Sequence, residues 1–214
     1  MLNKEEQGQL RSKLFRHLDG IVTAPSAFVL HVKGVTQYLL EKKRVGLKEL
    51  SDRFKANDGY LNVALKVLCS QGWLTQRVDN TEGTVEFEVN ELSQEAFASF
   101  ELYREANELL QISEHHHPRK FESEPFQKLE NTFKKFLQID VNATAIQQQI
   151  ATHVEGVLLG PSLVHLGMSG MFHKYFMSSR FKAEEFHKDA ESFGRLLDVL
   201  VHFKLFSKEG NSYE

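Results

Sequence analysis

Two histidines are each followed, two residues later, by a carboxylate, and these pairs are the first features of the sequence that suggest acid–base chemistry. His17 precedes Asp19, and His153 precedes Glu155. Residues two apart on a helix do not face each other, so neither pair forms a catalytic dyad within one helix. Because both pairs occupy the same place in two similar segments, we interpret them as structural, serving as a helix cap or an interhelix hydrogen bond.

Three other segments carry residue types that are used in catalysis or ligand binding. A metal site is suggested by His115, His116 and His117. Adjacent residues on a helix point in different directions, however, and this spacing is not that of metal ligands. A solvated loop is therefore favoured, and the role of the three histidines stays open. The stretch VEGVLLGPS (154–162) lacks the G-x-G-x-x-G pattern of a phosphate-binding loop. Cys69 lies on the apolar side of a predicted helix and is interpreted as a core residue. The sequence therefore predicts no catalytic, cofactor-binding or metal-ligating residue.

The sequence segments that position these residues occur twice in the chain. HLDGIVTAPSAFVLHVKGV (17–35) aligns without a gap with HVEGVLLGPSLVHLGMSGM (153–171), 136 positions later. An internal repeat of this kind predicts two copies of one structural unit. The identical positions are His17 and His153, Gly20 and Gly156, Pro25 and Pro161, Ser26 and Ser162, and Gly34 and Gly170.

The first copy has the pattern of a winged helix, which is three helices followed by a two-stranded hairpin. Pro25 suits the first position of a helix and Gly34 suits its end. A short helix follows in VGLKELSDRF, and Asn57 or Asp58 then caps a third helix that Gly72 ends. WLTQRV and TVEFEVN alternate in the manner of strands around a turn-forming DNTEG.

The second copy follows the same plan, from Pro161 to Gly170 and on to KLFSKEGNSYE, where we expect an incomplete wing whose returning strand is unpaired. The chain is accordingly expected to be a piece of a longer protein. We predict a mainly α fold, a tandem winged-helix-like pseudo-repeat joined by long helices. Its parts are a first unit at 1–90, a helical connector at 91–152 and a second unit at 153–214. Phe28 and its counterpart Val164 are expected to be buried in a shared core.

Composition narrows the classes of function. Hydrophobic residues make up 41% of the 214 and the net charge is −3, which indicates a globular protein without a global basic field. The single cysteine excludes an internal disulfide, and with no secretory leader pattern we expect a cytoplasmic protein. Binding to nucleic acid is disfavoured because the third helix carries Lys66 as its one cation and the wing is acidic. The acidic residues of the wing are Asp79, Glu82, Glu86, Glu88 and Glu91.

The doubled pattern resembles the N-terminal winged-helix or lid region of S-adenosylmethionine-dependent methyltransferases. It is most similar to the methyltransferase domains of polyketide synthase loading modules of the apratoxin and saxitoxin type. The first copy carries the resemblance at Gly20, Val22, Pro25, Lys33, Gly34, Val35, Ala56, Asn57, Gly59, Val63, Ala64, Leu65, Leu68, Trp73 and Leu74. The second copy carries it at Glu155, Gly156, Leu158 and Pro161.

This resemblance implies a lid or dimerisation scaffold that is not catalytic by itself, in an enzyme that methylates a starter unit on an acyl carrier protein. It places S-adenosylmethionine and a metal such as iron in a downstream core, so no site residue transfers to this chain. The implied partners are that core, the carrier protein and a second subunit, with no nucleic acid and no membrane. Two alternatives stay open, which are a free-standing winged-helix protein-interaction module and a DNA-binding transcription regulator.

Overall fold

The computed structural model describes residues 3–111, 143–168, 170–171, 180–186, 188, 190–203 and 205–214. No helix in these residues is long and apolar enough to cross a lipid bilayer. The helices are α1 (Lys4–Leu18), α2 (Gly20–Val32), α3 (Val35–Lys42), α4 (Leu47–Phe54), α5 (Asp58–Ser70), α6 (Ser93–Ser99), α7 (Arg104–Gln111), α8 (Ala145–Met168) and α9 (Ala190–His202). The strands are β1 (Arg44–Gly46), β2 (Thr75–Asp79), β3 (Thr84–Glu88), β4 (Phe181–Lys182), β5 (Lys208–Glu209) and β6 (Ser212–Tyr213).

Helices α1 and α2 form an almost continuous rod. Asn3 starts α1 with a capping box, in which its side chain accepts from the Glu6 amide. Asp19 lies between the two helices in helical conformation, and its amide donates to the Phe15 carbonyl. In the second copy the single helix α8 occupies the place of both, and it packs against α1 and α2.

Proline lies inside its helix in both copies, and the prediction that it starts the helix is wrong. Pro25 lies within α2, which begins at Gly20, and α8 runs through Pro161. A proline in a helix interior removes one backbone hydrogen bond. The cost is met in α2 by tertiary burial, because Thr23, Ala24 and Ala27 on either side of the proline are almost fully buried.

The glycines predicted to end these helices are confirmed. Helix α2 ends at Val32 and α8 ends at Met168, so both helices stop at the same point of the repeat. Gly34 and Gly170 then adopt positive φ angles of 78° and 75°, a conformation that glycine reaches without steric penalty.

In the first winged-helix unit the predicted third helix and hairpin are confirmed, but the sequence missed strand β1, which adds a third strand to the wing. Asn57 caps α5 by accepting from the Tyr60 amide, and Gly72 follows the helix with a φ of 80°. The three strands form an antiparallel sheet in the order β1-β3-β2, with Val45 paired to Phe87. Both side chains are buried, so this cross-strand pair anchors the wing to the core.

The second unit has the same sheet topology with shorter strands. Its order is β4-β6-β5, and Phe181 pairs with Tyr213 at the place of Val45 and Phe87. The expected unpaired returning strand is wrong, because β6 pairs with β4 on one side and β5 on the other. Ser207 and Glu214 close the hairpin with two backbone hydrogen bonds. The short hairpin is therefore complete in its hydrogen bonding.

The two copies do not contribute equally to the core. Phe28 is 7% exposed, as predicted, but Val164 is 57% exposed and the prediction for it is wrong. Between the copies, α6, a 3₁₀ turn (Phe100–Tyr103) and α7 cover the predicted helical stretch up to Gln111. Helix α8 runs across the boundary predicted at residue 152. The domain limits themselves stay predictions.

Candidate functional site

The predicted histidine pairs meet at a crossing between the α1–α2 rod and α8. A Cβ atom at Gly20 would collide with the backbone carbonyl of His153, and a Cβ at Gly156 would collide with that of His17. The contact is reciprocal, because Gly20 and Gly156 are equivalent in the repeat and so are the two histidines. Only glycine lets two helix backbones approach this closely. The repeat therefore builds an internal pseudo-twofold contact.

His17 spans this crossing to the other copy. It is 6% exposed, and its Nε2 lies 3.1 Å from Oε2 of Glu155. The ring edge also contacts Phe203, with the ring centroids 5.6 Å apart. The expected interhelix hydrogen bond is thus present, but it joins His17 to the carboxylate of the second copy and not to its neighbour Asp19.

His153 has a different partner. Its Nδ1 lies 2.6 Å from the hydroxyl of Tyr103, and the ring packs edge-on against Trp73. Burial, together with the nearby His17, lowers the pKa of His153 to about 4. Burial also raises the pKa of Tyr103, so its hydroxyl keeps its proton. The pair is a buried neutral hydrogen bond that locks the 3₁₀ turn onto α8.

The crossing has the properties of a structural junction. Its two histidines point to different partners, and each partner comes from a distant part of the chain. Sequence spacing predicted the histidines but missed Tyr103, which lies fifty residues before His153. No local pattern in the sequence connects a tyrosine in one helical turn to a histidine in a remote helix.

The remaining predicted candidates do not assemble into a reaction centre. VEGVLLGPS lies within α8, so it is helix and not a phosphate-binding loop. Cys69 is half-buried against the core, and burial raises the pKa of its thiol to about 11, which keeps it protonated. His115, His116 and His117 lie outside the described residues. In the residues that the structure does describe, no three metal-ligating side chains come together.

An open groove in the first unit is a feature that sequence reasoning missed. It has a volume of about 820 Å³ and runs between α2 and the segment from Arg53 to Ala64. It is lined by Val29, which is 46% exposed, and by Tyr60, which is 82% exposed. The sequence signal was weak, because these apolar residues also fit the periodicity of helices with a buried face.

Fold and crossing together define the class as a mainly α protein with a tandem winged-helix-like repeat, whose two copies share one helix crossing. Residues 10–76 match the family model of the AprA N-terminal domain. Residues 155–214 match that of the AprA winged helix domain. The two matches support an AprA-like family, and such domains fit a region associated with polyketide synthases of the apratoxin type. No curated protein matches the chain.

Proposed function

We propose that this chain is the lid or dimerisation scaffold of an S-adenosylmethionine-dependent methyltransferase. The enzyme would act on a polyketide starter unit held by an acyl carrier protein in the cytoplasm, with a catalytic core supplied by a further region. The matches to the AprA N-terminal and winged helix domains support the proposal, because both kinds of domain are present in one chain. The finer points of substrate and partner rest on the resemblance of the sequence.

The reciprocal glycine crossing is the observation that carries the scaffold role. Gly20 lies in the region that matches the N-terminal domain, and Gly156 lies in the region that matches the winged helix domain. Backbone contact at both positions leaves little room for the helices to slide or rotate, since interiors are close-packed. A body joined in this way presents both winged-helix units in a defined relation to a neighbouring core.

The described residues do not fit the cofactor that the resemblance implies. S-adenosylmethionine in the Rossmann fold is held by a glycine-rich turn between a strand and a helix, with an acidic residue on the ribose hydroxyls. The glycine-rich stretch of this chain, from Val154 to Ser162, is helical along its whole length. We therefore assign the cofactor and its metal to the proposed core and derive no chemical step from this chain.

The test separates the scaffold from the core. Titration calorimetry of the chain alone with S-adenosylmethionine is expected to give no binding tighter than about 100 μM, which corresponds to roughly −5.5 kcal/mol. Methylation of a malonyl-loaded carrier protein is expected when the chain and the core are joined in one polypeptide, and much less from the core alone. Stoichiometric binding by the chain alone would contradict the proposal, as would a core that is fully active without it.

A free-standing protein-interaction module is the second candidate, and the groove beside α5 favours it.

A role as a DNA-binding transcription regulator has less support. Arg44 and Arg77 of the first sheet share Glu88 as their ion-pair partner, and the wing around them is acidic, which disfavours contact with phosphates. We propose no nucleic-acid partner.

A further inference from the structure

The groove between α2 and α5 combines apolar side chains with high exposure. Val29 from α2 and Tyr60 from the first turn of α5 line it while remaining 46% and 82% exposed. Deeper in the groove lie Leu30, Val35 and Leu61, which belong to the core. Exposed apolar surface that is continuous with the core in this way marks an interaction site.

Three cations surround this apolar floor. They are Lys33 at the end of α2 and Arg53 and Lys55 at the end of α4. None of the three forms an ion pair with another part of the chain that the structure describes, and no carboxylate from that part lines the groove. The groove therefore has a local excess of positive charge, although the chain as a whole has a net charge of −3.

One of these cations, Arg53, is held in place at the rim of the groove by an aromatic ring. The Arg53 guanidinium stacks over Tyr38, 4.2 Å from the ring centroid, so its position is restrained. Asn57, the N-cap of α5, lines the groove as well, while Asp58 in the first turn of α5 accepts from the Ser51 hydroxyl and is not part of the lining. Charge and shape together predict a ligand with an apolar stripe flanked by acidic groups.

We propose that the groove binds an acidic amphipathic helix of a partner protein. Such a helix lays apolar residues at i, i+3, i+4 and i+7 into a groove of this kind, and its flanking carboxylates reach the rim. Contacts with Val29 and Tyr60 supply the affinity, while Lys33 and Lys55 select for negative charge and accelerate encounter.

Two other occupants fit the observations less well. A second copy of this chain that used the same face in a twofold dimer would bring the cations of one groove close to those of the other. A membrane surface requires apolar groups that protrude, whereas most of this apolar surface lines a concave groove.

The experiment uses the full chain and a fluorescent synthetic peptide of about 20 residues, with leucine on one helical face and glutamate on its flanks. A matched peptide carries glutamine in place of every glutamate. In anisotropy titrations the acidic peptide is expected to bind at least about tenfold more tightly than the glutamine peptide, and to weaken as salt rises. Amide chemical-shift changes are expected to cluster around the groove.

Matched variants locate the binding. Lys33→Gln with Lys55→Asn is expected to weaken binding about tenfold, while Lys43→Asn with Lys66→Gln should stay within about twofold. Asparagine is chosen because Lys55 and Lys43 both have positive φ angles, of 49° and 68°. Tyr60→Ser should also weaken binding, and Val78→Ser, which changes an exposed wing residue outside the groove, should not.

Four results would overturn the proposal. The first two are an acidic peptide that does not bind up to about 1 mM and a glutamine peptide that binds equally well. The third is an equal loss of binding in the control variants. The fourth is sedimentation of the chain with phosphatidylserine vesicles that depends on Lys33 and Lys55, which would assign the face to a membrane. Peptide binding requires no methyltransferase core, so failure in this assay leaves the scaffold role standing.

Discussion

Equivalent histidines of the two copies lie at the same helix crossing but have different surroundings. His17 reaches a carboxylate, Glu155, whose side chain is 27% exposed. His153 reaches a phenol, Tyr103, which is fully buried. The difference arises because the segment that follows the first wing folds back over α8, while Phe203, directly after α9, lies beside His17. The two copies thus share one crossing and place different chemistry on its two sides.

The two wings also share one feature and differ in another. Strands β2 and β3 pair over five residues, whereas β5 and β6 pair over two. Both sheets nevertheless place a buried aromatic side chain on the central strand, Phe87 in one and Tyr213 in the other. The anchor to the core is retained, and the exposed part of the hairpin varies.

The largest expected effect tests whether the crossing is equally tight on both sides. Gly20→Ala and Gly156→Ala each place a Cβ against a backbone carbonyl that has no flexible end to move. Each is expected to lower the free energy of unfolding by at least about 3 kcal/mol. Urea denaturation followed by circular dichroism measures the change.

The control is Gly8→Ala, since a Cβ at Gly8 in α1 would meet nothing within 4 Å. It should stabilise the chain by up to about 1 kcal/mol through helix propensity. The double variant of Gly20 and Gly156 is expected to cost less than the sum of the single ones, because both act on one contact. Additive losses would mean that the two sides of the crossing are independent.

An intermediate effect tests the buried surroundings of His153 by the pH dependence of stability. The folded-state pKa of His153 is lowered to about 4, whereas an unfolded histidine titrates near its ordinary value of about 6.5. The unfolded chain therefore binds a proton first as pH falls. The stability that His153 contributes is fully present above about pH 6.5 and is lost progressively towards about pH 4, by up to about 3 kcal/mol.

Urea denaturation at a series of pH values between 4 and 7 measures this loss. His153→Gln is expected to flatten the dependence, although its stability at neutral pH is lower. His31→Gln, which changes a histidine away from the crossing, should leave the slope unchanged. An unaltered slope in His153→Gln would show that other groups control stability in this range.

The smallest effect compares the two hydrogen bonds directly. Tyr103→Phe leaves the buried Nδ1 of His153 without its partner and is expected to cost about 1–3 kcal/mol. Glu155→Gln keeps an acceptor for His17 at a partly exposed position and should cost less than about 1 kcal/mol. Tyr60→Phe removes an exposed hydroxyl and serves as the neutral control. Equal costs at the two positions would remove the distinction between the copies.

Local backbone signals in the sequence determined much of the fold. Gly34 and Gly170 predicted the two helix ends because a positive φ angle suits glycine wherever the chain turns after a helix. Asn57 and Gly72 likewise marked the limits of α5. The spacing of 136 carried the helix end at Gly34 over to Gly170 in the second copy, and alternation of side chains predicted the first wing.

Tertiary structure decided what depends on contacts between distant segments. Pro25 predicted a helix start, but burial of its neighbours carries α2 through it. Val164 had the pattern of a core residue, yet its side chain is 57% exposed. The partner of His153 lies fifty residues away in the chain, and the groove cations come from two different helix ends. Periodicity identifies which residues share a helix face, but the element that covers the face is set by how the helices cross.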